Sequence, residues 1–223
     1  MKKKQVRNLV VALGLVAALG GGATLALLSA QSNVVTNTFT VGKNLQDSDL
    51  KLDEYALNTD NRTANKDTER VINLAFDNLM QGDVLDKDPT VQIKSDAAEC
   101  YMFVKITGLD ALKEKGITVN WNSSWAKADG QSTFLDGIYY YTGGTNGVVD
   151  PSTLTDNISP EDGFGELPSL FTKVTVANDA DLYDDNGEGK KLDSIVAKAC
   201  AVQAQNVDSW NEAYTQLPSG FTN

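Results

Sequence analysis

The eight residues Cys100–Thr107 constrain this chain most. In an extended strand Cys100, Met102, Val104 and Ile106 fall on one face and Tyr101, Phe103 and Lys105 on the other, so at least one face must be covered by a core. Further β-rich runs occur at 37–41, 50–57, 71–76, 90–94, 117–121, 138–142, 171–176 and 195–203, with Gly, Asn, Asp and Pro turns between them. That is the pattern of an all-β sandwich or barrel. Helices are expected to be few. One is read over 109–115, and another near the end, where Val207, Trp210, Ala213, Tyr214 and Leu217 recur at helical spacing after a cap at Asp208. That stripe is expected to dock on the sandwich. Residues 143–168 carry three prolines and little periodicity, and read as a long exposed loop.

The N-terminus reads as an export signal. Lys2, Lys3, Lys4 and Arg7 precede an apolar run over 9–28, and no further charge occurs before Lys43. The run is about as long as the roughly 20 residues that cross a bilayer, so a retained anchor is the alternative. Gly20, Gly21 and Gly22 weigh against it, because they loosen the helix where the apolar core of a signal should end. Cleavage is expected between Ala26 and Leu27, with a cut after Ala30 as the alternative. The four basic residues leave with the signal, which takes the formal charge from -11 to -15. The remaining chain is long enough to bury about 70% of its unfolded surface without help from metals.

Composition removes several chemistries. With no histidine in the chain, a His-containing triad, a His-Glu-x-x-His zinc site and a His general base are all excluded. The acidic balance repels phosphate backbones and anionic lipid, so nucleic acid is not an expected partner, and a membrane is expected only before signal cleavage. No Gly-x-Ser-x-Gly elbow or Gly-x-x-x-x-Gly-Lys loop is present. No enzyme activity and no cofactor are expected, apart from one candidate for calcium. Asp181, Asp184, Asn186 and Glu188 place hard oxygen ligands around Gly187, although the spacing misses an EF-hand loop and Asp-Asn-Gly is equally a hairpin turn. Trp121, Trp125, Tyr139, Tyr140 and Tyr141 are either a sugar-stacking platform or buried strand aromatics. Cys100 and Cys200 sit in strand-like runs in a chain read as exported. If those strands are neighbours, a bridge closing a loop of about 100 residues adds up to about 4.7 kcal/mol. Two buried thiols are the alternative.

An ordered set of motifs spans nearly the whole chain. It begins with the signal end Gly20-Gly21-Gly22-Ala23-Thr24-Leu25-Ala26 and continues with Asn37-Thr38-Phe39-Thr40-Val41-Gly42 and Leu50-Lys51-Leu52-Asp53-Glu54. Leu79-Met80-Gln81-Gly82-Asp83-Val84 follows, then Cys100-Tyr101-Met102-Phe103-Val104-Lys105, Gly137-Ile138-Tyr139-Tyr140-Tyr141, Leu170-Phe171-Thr172-Lys173-Val174 and Ala201-Val202-Gln203-Ala204. This set resembles the TasA/camelysin family of Gram-positive exported proteins, those processed by a SipW-type signal peptidase. Gln81 stands where that family usually has Pro before Gly-Asp.

The resemblance implies a jelly-roll-like antiparallel β-sandwich over 43–223, secreted to the extracellular matrix or cell surface. It also implies a subunit or accessory component of biofilm fibres, whose partners are its own copies or a related matrix protein, and signal peptidase during export. Residues 27–42 would then be an N-terminal donor strand, with Thr38, Phe39, Thr40 and Val41 as its assembly residues, added to the sheet of another subunit. Camelysin-like members are described as metallopeptidases, an activity that a chain without histidine is not expected to share. The alternative reading is a monomeric cell-surface binding or adhesion module.

Overall fold

The computed structural model of the chain describes residues 29–31, 45–130, 133–155 and 163–222. The expected cleavage point at Ala26 and Leu27, the 37–41 run and the assembly residues Thr38, Phe39, Thr40 and Val41 lie outside the described residues. The strands are β1 Ser29–Gln31, β2 Leu50–Leu57, β3 Ala64–Val71, β4 Val84–Asp86, β5 Thr90–Lys94, β6 Cys100–Thr107, β7 Ile117–Trp121, β8 Trp125–Lys127, β9 Gly137–Tyr141, β10 Val148–Val149, β11 Phe164–Glu166, β12 Phe171–Val176 and β13 Val196–Gln203. Among the described residues helix α1 Leu109–Glu114 joins β6 to β7, and α2 Trp210–Thr215 and α3 Ser219–Thr222 follow β13. Every strand pairing is antiparallel. One sheet runs β1-β13-β6-β9-β8, with β10 also on β6; a second runs β11-β5-β2-β3, and a third β4-β12-β7. The fold is the expected all-β, jelly-roll-like sandwich with a few short helices.

The alternation in β6 builds two cores. Cys100, Met102, Val104 and Ile106, with Ala199 and Ala201 of β13, face Val91, Ile93, Leu85, Phe171 and Val176 across the sandwich. Tyr101 and Phe103, with Cys200 and Val202, face Val207, Ala213, Leu217 and Phe221 of the C-terminal segment. The sheet is therefore covered on both faces, and each large side chain buried there contributes about 1.5–3 kcal/mol. The C-terminal stripe docks as expected, with one correction to its cap. Ser209, not Asp208, accepts the Glu212 N–H, and the Glu212 carboxylate reaches back to the Asp208 N–H. This reciprocal pair satisfies two amides that the helix itself cannot.

Two other expectations need correcting. The strand read at 71–76 is instead β3, which ends at Val71. β3 is a charged edge strand: it pairs with β2 only at its two ends, and Lys66, Asp67, Thr68 and Glu69 between them are exposed. Residues 143–168 are not simply loop, since β10 pairs with β6, β11 pairs with β5, and Pro151 between them is buried. Strands of two or three residues are too short to show a period.

Candidate functional site

β13 has an outer edge that the strands among the described residues cover only in part. On one side all eight of its residues pair with β6. On the other side, Ser29, Ala30 and Gln31 pair with Val202, Ala201 and Cys200, and among the described residues no strand lies beside 196–198. Alternate N–H and C=O groups of a strand point to each edge, so 196–198 form a sheet edge among the described residues. Val196 at its start is 57% exposed.

The chain entering β13 borders an apolar groove of about 760 Å³. Leu79, Leu112, Val176, Leu182, Leu192 and Ile195 line it, and Met80 and Tyr183 stand at its mouth, 62% and 44% exposed. Helix α1 carries Leu112, and its N-terminus is fixed by exchange of hydrogen bonds with a neighbouring turn. Asp136 accepts the N–H groups of Gly108, Leu109 and Asp110, while Asp110 accepts those of Leu135 and Asp136. Gly108 holds φ +92, and a Cβ there would collide with the Ser194 carbonyl, so this position needs glycine. At the far side, Gly82 turns at φ +87 and Asp83 accepts the Met80 N–H. Gln81, which replaces the proline of the resembled motif, donates from its side chain to the Ala180 carbonyl at 2.7 Å.

The cysteines do lie on neighbouring strands, but the proposed bridge is corrected. Cys200 stands opposite Phe103 and Cys100 opposite Gln203. That is three positions of stagger, about 10 Å along the strand, beyond disulfide reach. Odd stagger also puts the thiols on opposite faces of the sheet, Cys100 in the main core and Cys200 under the C-terminal helices. Both are free and buried, and burial pushes the Cys200 thiol up to about 12 and the Cys100 thiol higher still.

The candidate calcium residues do not converge. Asp184 accepts the N–H groups of Asn186 and Glu188, each at 2.9 Å, and closes a hairpin turn through Gly187 at φ +78. Asp181 is held by Lys115 and Lys190, whose hydrogen bonds bring its carboxyl down to about 2. Among the described residues no group of three or more His, Cys, Asp or Glu is placed to hold a metal.

The aromatics expected at 121–141 are divided between the two cores. Trp121 packs on Tyr139 at 4.1 Å and on Phe171 at 6.0 Å, and the Trp125 indole donates to the Pro168 carbonyl. Tyr140, on the other face, stacks on Trp210 at 3.8 Å.

One cluster has no signature in the sequence. Arg70 of β3, with a side chain 6% exposed, lies 2.6 Å from Asp53, 3.1 Å from Asp88 and 3.6 Å from Glu166, and its guanidinium stacks 4.3 Å from the Tyr55 ring. Behind the same sheet, Lys87 pairs with Glu54 at 2.6 Å. Burial raises the carboxyls of Asp53, Glu54 and Asp88, against the pull of their cationic partners. The carboxylates around Arg70 all turn toward it, which suits a clamp on an edge strand. Only the register of β3 against β2, β5 and β11 brings these residues together, and no run of adjacent residues announces it.

No protein-family model, curated protein or solved structure matches this chain.

Proposed function

We propose that this chain is an exported structural subunit of an extracellular fibre, assembling when the N-terminal segment of one copy adds as a strand to the sheet of the next. The observation that carries this reading is the outer edge of β13. It is long and lies beside an apolar groove, and N-terminal residues already pair with part of it. Main-chain hydrogen bonds would supply the affinity, and apolar side chains of the incoming segment, Phe39 and Val41 among them, would seat in pockets beside the edge. The contact is head-to-tail and does not close on itself, so it propagates as a filament. The motif set described above points the same way and to the matrix or cell surface. The test is negative-stain microscopy of protein beginning at Leu27, at high concentration and over a range of pH. Filaments that vanish when residues 27–36 are deleted support the reading. Equal polymerisation without those residues, or persistent monomers under all conditions, overturns it.

A further inference from the structure

We infer that the apolar groove between residues 74–80 and 182–195 is a binding site for an uncharged, largely hydrocarbon small molecule. Binding there does not depend on fibre assembly. The floor of the groove is regular structure: Leu85 of β4, Ile117 of β7, Val174 and Val176 of β12 and Leu112 of α1, each no more than 6% exposed. All five belong to the main core, so the space of about 760 Å³ reaches directly onto it. That volume lies within the roughly 300–1,000 Å³ of small-molecule sites, which are likewise concave and mostly apolar. Water is a poor occupant of the deep part, where it finds few polar partners.

The sides are built differently from the floor. Residues 72–79 belong to no strand or helix, and among the described residues no hydrogen bond joins their backbone to another backbone group. Side chains hold them instead: the Arg62 guanidinium donates to the Asn78 carbonyl, and Phe76 and Leu79 pack on the core. On the facing side Tyr183 and Gly189 form an isolated bridge, and Leu192 and Ile195 pack on the core from an irregular run. Sides without ladder hydrogen bonds can part around a guest while the sheet beneath stays intact. Charge then selects the guest. Of the three charged residues that border the groove, Lys87 is paired with Glu54, Lys190 is paired with Asp181, and Asp193 is exposed to water. Both cations on the wall are thus already neutralised, and a charged group drawn into the groove would lose its hydration without gaining a free partner. The complement of such a wall is a molecule that carries no charge.

The test titrates protein beginning at Leu27 with N-phenyl-1-naphthylamine, an uncharged fluorescent probe, and then displaces the probe with dodecanol, dodecanoate or dodecylammonium. One saturable site is expected, with dodecanol effective at a concentration at least about tenfold below either charged analogue. Leu192→Trp fills the groove from one side and Leu79→Trp from the other; each should weaken probe binding at least about tenfold, and the one that keeps the original urea midpoint is the one read. Ile72→Ser removes a side chain that is 73% exposed and does not line the groove, so binding should be unchanged. Absence of saturable binding, full binding by a groove-filled variant, or loss of binding in Ile72→Ser overturns the site. Tighter displacement by either charged analogue overturns the class of ligand. Displacement by a peptide of residues 33–41 at a lower concentration than dodecanol would give the groove to the N-terminal segment and overturn the small-molecule assignment.

Discussion

Replacing Arg70 by Met should destabilise the protein by about 3–5 kcal/mol near pH 8, the usual cost of removing one partner from a buried ion pair. The upper part of that range is expected, because the guanidinium meets three carboxylates and also donates to the backbone carbonyls of Asp53 and Asp88. All four side chains are 6–12% exposed, so water cannot replace the lost cation. The stranded carboxylates have one escape, which is to take up protons. Burial already raises Asp53 and Asp88 in the intact protein, and without Arg70 they rise further. The loss should therefore shrink by at least about half between pH 8 and pH 5, and Asp53→Asn in the Arg70→Met background should recover part of it at pH 8. Urea denaturation at the two pH values measures both quantities, and at about 2–4 °C per kcal/mol the melting shift is readily seen. A loss below about 1 kcal/mol, the value of a surface bridge, would refute the clamp, as would a loss that is the same at both pH values.

Stability of the unaltered protein should rise as pH falls from neutrality toward the ordinary carboxylate range and drop only below that range, because two sets of carboxyls act in opposite directions. Asp53, Glu54 and Asp88 are raised above their ordinary values of 3.8, 4.5 and 3.8, so their contribution is complete below those values and is lost as pH climbs through the folded ones. Asp86 and Asp181 are lowered from 3.8, so theirs is present above that value and is lost as pH falls through the folded ones; a urea midpoint that falls steadily from pH 7 to 5 would contradict this. Native protein should resist alkylation and take up two alkyl groups only after unfolding, and reductant should leave the melting temperature unchanged; a mass 2 Da lower that reductant reverses would restore the bridge. Gly108→Ala should cost about 1–3 kcal/mol from the positive φ alone, with more from the Ser194 carbonyl, and a neutral urea midpoint would show that the turn relaxes freely.

The sequence revealed strands where a run of β-prone apolar residues marks them and concealed them where it does not. Leu50–Leu57, Thr90–Lys94, Cys100–Thr107, Ile117–Trp121 and Phe171–Val176 each end where the pattern of their own residues ends. Ala64–Val71 was hidden because an edge strand needs no apolar face; its exposed middle is held at the ends by Arg70 and by pairing with β2. Val148–Val149 and Phe164–Glu166 were hidden because their partners, not their composition, make them strands. The cysteine pairing shows a different limit. The neighbourhood of the two strands was foreseeable, but one residue of register decides which face a side chain takes, and register is fixed by contacts far along the chain.

The same edge logic explains why β13, rather than another strand, is the surface to watch. Strand edges invite foreign strands unless they are short, bulged or charged. β4, β8 and β11 are three residues long, and β3, though it has eight, is bulged and carries Lys66, Asp67 and Glu69 along its exposed middle. β13 also has eight residues, but its pairing with β6 is unbroken, and Lys198 is its only charge. An edge that is long, regular and nearly uncharged is a hazard in a protein that is to remain solitary and an asset in one that polymerises. With Lys198 already on the edge stretch 196–198, Val196→Lys should add a second like charge two residues away at an exposed position and suppress strand addition while leaving the two cores unchanged. Light scattering at matched concentration would measure this, and undiminished assembly of the Val196→Lys protein would place the growing contact somewhere other than β13.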